Sequence, residues 1–205
     1  MLLIQDLSMQ DDDEFEEEMP DVEDYPTLVS VVRFNRFLNS VPWFSEVGEP
    51  LTREEHKIAR DYMDALGFPD AFVGEIEDWD DAAYAAATPD FNSDWWEAEE
   101  QLRAGLVADA LALISEEDLT LALTHVSATA SELINAALDE IAEEVGLADE
   151  EFLRAIAGAA VQACHQAALV LAAGAEDDHP FALKYQLFER GHWPIAITGR
   201  SFNIF

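Results

Sequence analysis

The chain has 205 residues, half of them hydrophobic, and its 44 Asp and Glu against 10 Lys and Arg leave a formal net charge of -34. With only Lys57 and Lys184 as lysines and eight scattered arginines, no basic stripe is available. Direct binding to nucleic acid or to an anionic membrane is therefore excluded, and basic proteins and cations are left as partners.

A single cysteine, Cys164, cannot form an internal disulfide. The opening residues Met1 to Asp6 lack the basic flank and long apolar run of a signal peptide, so the expected compartment is cytoplasmic. Residues 1–26 carry 11 acids and no base, with the run Asp11-Asp12-Asp13-Glu14-Phe15-Glu16-Glu17-Glu18 at their centre. Like charges at this density repel one another and resist folding, so this segment reads as a disordered acidic arm. The remainder still carries 33 acids and 10 bases, so acidity is a property of the folded part as well.

Leu28, Val31, Val32, Phe34, Phe37, Leu38 and Val41 recur at helical spacing, and Pro42 ends that helix. Thr52-Arg53-Glu54-Glu55 is a capping box opening a second helix, with Ile58, Tyr62, Met63 and Leu66 on its apolar face and Gly67 and Pro69 as its stop. Residues 69–92 are mixed, with a short helix over Asp80 to Ala87. Ser93 caps a longer helix to about Ile114, and Ser115-Glu116-Glu117-Asp118 opens another.

The stretch from Thr124 to Ser131 is rich in hydroxyl side chains that compete for backbone hydrogen bonds. Thr129 and Glu132 would suit a fresh capping box, so one kinked helix and two helices both fit up to Gly146. Asp149 caps an Ala-rich helix ending near Gly174. Its small-residue surface lets neighbouring helices approach closely and places it at the centre of a bundle, as a buried helix and not a membrane span.

Asp178-His179-Pro180 opens the last helix, ending at Gly191. Alternating apolar residues around Gly199-Arg200 then read as a hairpin with a type II′ turn. A lone hairpin is marginal, so it must pack on the helices or on another chain. The expected architecture is mainly α: a bundle of about six or seven helices over residues 27–191 with a C-terminal β-hairpin over 192–205.

No nucleophile elbow, dinucleotide fingerprint or phosphate-binding Gly-Lys-Ser/Thr loop occurs, so no catalytic residue and no cofactor are assigned. Cys164 and His165 are neighbours in sequence and do not face each other on a helix. Asp90-Phe91-Asn92-Ser93-Asp94 resembles the first half of a calcium loop, but Trp95 and Gln101 stand where Gly and Glu are required. His125, His165 and Glu132 on facing helices are an alternative metal set. Glu176/His179 and Glu189/His192 have Glu-x-x-His spacing but straddle helix ends.

The segment that packing explains least is Asp78-Trp79-Asp80-Asp81 followed by Phe91, Asp94, Trp95 and Trp96. Three of the five tryptophans lie here among acids. Aromatic anchors with an acidic rim suit a basic protein partner. Trp95 and Trp96 cannot share one helix face, so at least one is expected to be partly exposed.

Three readings follow. The first is an interaction module that binds, and can inhibit, a basic protein. The second is a general protein of a high-salt cytoplasm, whose acidity serves solvation alone. The third is a helical-bundle enzyme or metal protein using His125 and His165. The C-terminal hairpin, with Phe205 at its end, offers an edge for pairing between copies of the chain.

Overall fold

The computed structural model describes residues 25–87 and 93–205. The acidic arm up to Asp24, and Phe91 with its neighbours, lie outside the described residues. Seven α-helices are described: α1 (Pro26–Phe37), α2 (Arg53–Ala65), α3 (Trp79–Ala87), α4 (Ser93–Leu111), α5 (Glu116–Val145), α6 (Glu150–Ala172) and α7 (Pro180–Glu189). Three short strands, β1 (Phe72–Glu75), β2 (Pro194–Thr198) and β3 (Ser201–Ile204), form one sheet in the order β1-β3-β2.

The caps read in the sequence are present. Thr52 accepts from the Glu55 N–H, and Glu55 accepts from the Thr52 N–H, closing both halves of the box that starts α2. Ser115 and Asp149 accept from the first-turn N–H groups of α5 and α6, which those helices cannot satisfy internally. At the end of α2, Gly67 takes φ +90°, the Phe68 N–H reaches the Met63 carbonyl, and the Gly67 N–H reaches that of Asp64. This is the Schellman closure that a glycine permits.

α5 runs unbroken for 30 residues, so the fresh start considered at Thr129 does not occur. Two of the hydroxyl side chains there have side-chain partners. Ser127 bonds the His165 ring at 3.2 Å, and the Ser131 hydroxyl accepts from the Asn135 amide.

α6 lies at the centre, packed against α1, α3, α4, α5 and α7. Its length and hydropathy would allow a membrane span, yet 61% of its most apolar window is buried inside the bundle. The first core gathers residues from α1, α4, α5, α6 and α7 around it.

α7 separates this core from a second one. Phe181, Tyr185 and Phe188 face the first core, while Leu183 and Leu187 join Ile58, Tyr62, Met63, Trp95, Ile197, Phe202 and Ile204 in the second. Burial on both sides explains why α7 shows no clear polar face.

The expected hairpin is present, and the positive φ of its turn falls on Gly199 (+59°) alone, as a type II′ turn requires. One expectation is corrected. Residues 72–75, left within a mixed region, form β1 and pair in parallel with β3, Phe72 against Ser201 through Glu75 against Ile204. β3 therefore lies between β1 and β2, β2 is an edge strand, and Phe205 is buried against Trp79.

Arg60 holds the loop before β1 by donating to the Pro69 and Ala71 carbonyls, and Arg200 donates to that of Asp70. Gly74 lets the Ser201 and Asn203 side chains of β3 lie close over β1. A Cβ there would stand 2.4 Å from the Ser201 hydroxyl and 2.7 Å from the Asn203 amide oxygen.

Candidate interaction surface

Trp79 and Trp95 of the acidic-aromatic segment pack on different cores. The Asp78 carboxylate accepts from the Asp81 N–H and so starts α3. Asp80 and Asp81 are exposed in its first turn, where the helix dipole favours negative charge. Trp79 is half-buried, its ring edge-on to Phe205 at 4.8 Å and to Phe152 at 6.4 Å. Asp94 and Trp96 are exposed on α4, as is Tyr84 on α3.

Trp95 is buried in the second core and does not offer its ring to a partner. Its indole N–H donates to the Tyr62 hydroxyl at 2.7 Å. Tyr62 in turn donates to the Glu99 carboxylate at 2.7 Å. Lys184 reaches the same Glu99 oxygen at 2.8 Å and lies over the Trp95 ring, 5.3 Å from its centre. All four side chains are buried. Burial, then the Glu99 charge, holds the Tyr62 hydroxyl far above its ordinary pKa, so it stays a donor.

A second buried pair joins His192 Nε2 to Glu55 at 3.5 Å. Burial alone would raise the Glu55 carboxyl. The Thr52 hydroxyl and N–H and the His192 ring outweigh that effect and hold it below the usual carboxylate range. Sequence reasoning missed Glu99 and Lys184, and it considered His192 with Glu189, whereas the structure pairs it with Glu55. Glu99 and Lys184 stand 85 positions apart, and no local pattern links them.

The histidines considered for metal binding do not converge. His125 and Glu132 are exposed on α5, whereas His165 is half-buried against Ser127. Burial, then the Arg103 charge, lowers the His165 pKa. His179 caps α7 by accepting from the Phe181 N–H. Among the described residues, no three His, Cys, Asp or Glu side chains lie close enough to hold an ion. Cys164 is buried, and burial pushes its thiol up to about 12, which makes it inert at neutral pH.

A further concentration of exposed acids lies where α5 ends and α6 begins. Acids in the first turn of α5 (Glu116, Glu117, Asp118) suit the positive end of its dipole. Acids at its other end do not. Asp139, Glu140, Glu143 and Glu144 are exposed in the last two turns, with no base in the last turn to offset them. Asp149, Glu150 and Glu151 follow, and the local base, Arg154, reaches Glu150 only at 3.9 Å.

Beside this pole, between α3 and α6, opens a shallow cleft of about 420 Å³. Ala83, Ala87, Ala155 and Phe152 line it, with Asp149 and Glu151 among its polar groups. Its shape and charge suit the aliphatic stem and cationic head of a Lys or Arg side chain.

Compared with known proteins, the chain matches no family model, no curated protein and no solved structure. Fold and surface together define its class, an acidic α-helical domain closed by a three-stranded sheet.

Proposed function

We propose that this chain is an acidic interaction module that binds a basic protein, and can inhibit it by covering a cationic surface. The observation that carries the reading is the α5–α6 pole. Its four α5 carboxylates sit at the negative end of that helix dipole with no base in the last turn, a placement that costs stability, and the pole adjoins an alanine-floored cleft whose acids suit a cationic side chain. Complementary charge of this kind accelerates encounter and orients the partner. Asp80 and Asp81 on α3 extend the same field.

The test is affinity capture from the native host lysate at low and high salt, with wild-type bait beside a Glu140→Lys/Glu143→Lys/Glu144→Lys bait. The reading expects one basic protein near 1:1 on the wild-type bait, released by salt and lost from the variant. Equal recovery on both baits moves binding away from the pole, and recovery of no basic protein on a folded bait removes the reading.

A second reading, adaptation to a high-salt cytoplasm, is favoured by a different observation. Of the two lysines, Lys184 is buried, which leaves Lys57 as the one surface lysine. On this reading the chain unfolds in dilute buffer and compacts as salt rises, and full folding without salt removes it.

A further inference from the structure

We infer that the cleft between α1, α6 and α7 binds this chain's own amino-terminal segment, with Leu2-Leu3-Ile4 in the cleft and the acidic run 11–18 along α1. The inference is independent of the partner proposed above and concerns another face of the molecule.

The cleft has a volume of about 310 Å³ and is lined by Phe34, Phe37, Val170, Leu171, Tyr185 and Arg190, among others. Phe37 is 44% exposed at this site. Tyr185, nine-tenths buried, has a hydroxyl with no hydrogen-bond partner. Aromatic and aliphatic side chains exposed in a cleft, as Phe37 is here, offer a surface that a covering segment can bury.

Charge and chain connectivity select the occupant. α1 contains Arg33 and Arg36 and no acid, and it is the one described helix with a net positive charge. Neither arginine forms an ion pair among the described residues, although acids far outnumber bases. Arg33 lies one helical turn before Phe37, on the same face. A shallow groove formed by Pro26, Val29, Ser30 and Arg33 leads from the start of α1 toward that turn.

The arm joins α1 at the start of this groove. It supplies an apolar head, Met1-Leu2-Leu3-Ile4, followed by the acidic run. Residues 5–24 span up to about 66 Å when extended, well beyond the roughly 18 Å length of α1. Tethering raises the local concentration of the head to the order of millimolar. Asp177 and Glu189 also line the cleft and repel the acidic run, so the apolar head enters while the acids meet Arg33 and Arg36.

The test uses the full chain with Gln5→Cys carrying a nitroxide spin label. The buried, high-pKa Cys164 thiol leaves residue 5 as the reactive site. Amide NMR signals of Phe34, Phe37, Ala182 and Gln186 should be lost to paramagnetic broadening, while those of α3 and the α5–α6 pole persist. Leu3→Asp/Ile4→Asp should restore the lost signals, and so should Arg33→Glu/Arg36→Glu, in chains whose remaining spectrum is unchanged.

Uniform broadening, or broadening centred on another surface, overturns the inference. So does broadening that appears only when labelled chain is mixed with unlabelled isotopic chain, because a second copy is then the occupant.

Discussion

In the second core Lys184 meets Glu99 at 2.8 Å and His192 meets Glu55 at 3.5 Å. At the α5–α6 pole, seven carboxylates between Asp139 and Glu151 share a single nearby arginine. One chain therefore treats the same residue types in two ways. A buried carboxylate must be matched, because desolvation without a partner costs several kcal/mol. A surface carboxylate is solvated and screened, so acids can accumulate there at small cost per residue and build a long-range field. Where charge is paired it holds elements together, and where it is left unpaired it is free to act on another molecule.

The sharpest way to break this comparison is Lys184→Met. It leaves Glu99 buried with Tyr62 and no cation, and should cost about 3–5 kcal/mol in urea unfolding. Adding Glu99→Leu should recover part of the loss, because both charges are then gone. A single-variant cost under about 1 kcal/mol would mean that water reaches Glu99 and that the pair is a surface pair in effect.

Glu55 comes next. Glu55→Ala removes half of the α2 cap and the partner of His192, and should cost about 1–2 kcal/mol. Its folded pKa lies below the unfolded value, so its contribution is fully present above the unfolded carboxyl range. That contribution is lost as pH falls through the lower folded value. The difference in unfolding free energy between wild type and Glu55→Gln should therefore shrink across that acid window. A difference that stays constant there would show that the carboxylate charge contributes nothing.

The smallest effect has the opposite sign. Glu143→Lys and Glu144→Lys place cations at the negative end of α5 and should each stabilise by about 0.3–1 kcal/mol at low salt. The gain should fade near 1 M salt, where the screening length is about 3 Å. Thermal unfolding at the two salt concentrations reads both.

Much of the fold was legible because its signals are local. Thr52, Ser115 and Asp149 mark helix starts by their own side-chain chemistry, and Gly199 marks the hairpin turn by its backbone freedom. The alanines of α6 placed it at the centre. β1 was not legible, because four residues with Gly74 among them have no strand signature. They become a strand only when β3, about 130 positions later, offers its edge. The continuity of α5 was equally hidden, since Ser127 is satisfied by His165 from another helix.

In the sequence the acidic-aromatic segment reads as one surface, whereas its three tryptophans take different environments in the fold. Trp79 turns to Phe205, Trp95 turns to Tyr62, and Trp96 alone of the three stays well exposed. The pole passed unnoticed because its acids are ordinary helix residues. Only their place at a helix end without a base makes them unusual.

The central claim, that unpaired charge at the α5–α6 pole selects a basic partner, is tested most directly by quantitative capture on two baits. These are the wild type and Glu140→Lys/Glu143→Lys/Glu144→Lys, each checked for a native fold. The account predicts one basic protein retained by the wild type at low salt, released as salt rises, and absent from the variant. Equal retention on both baits, or no basic protein on either, would contradict it.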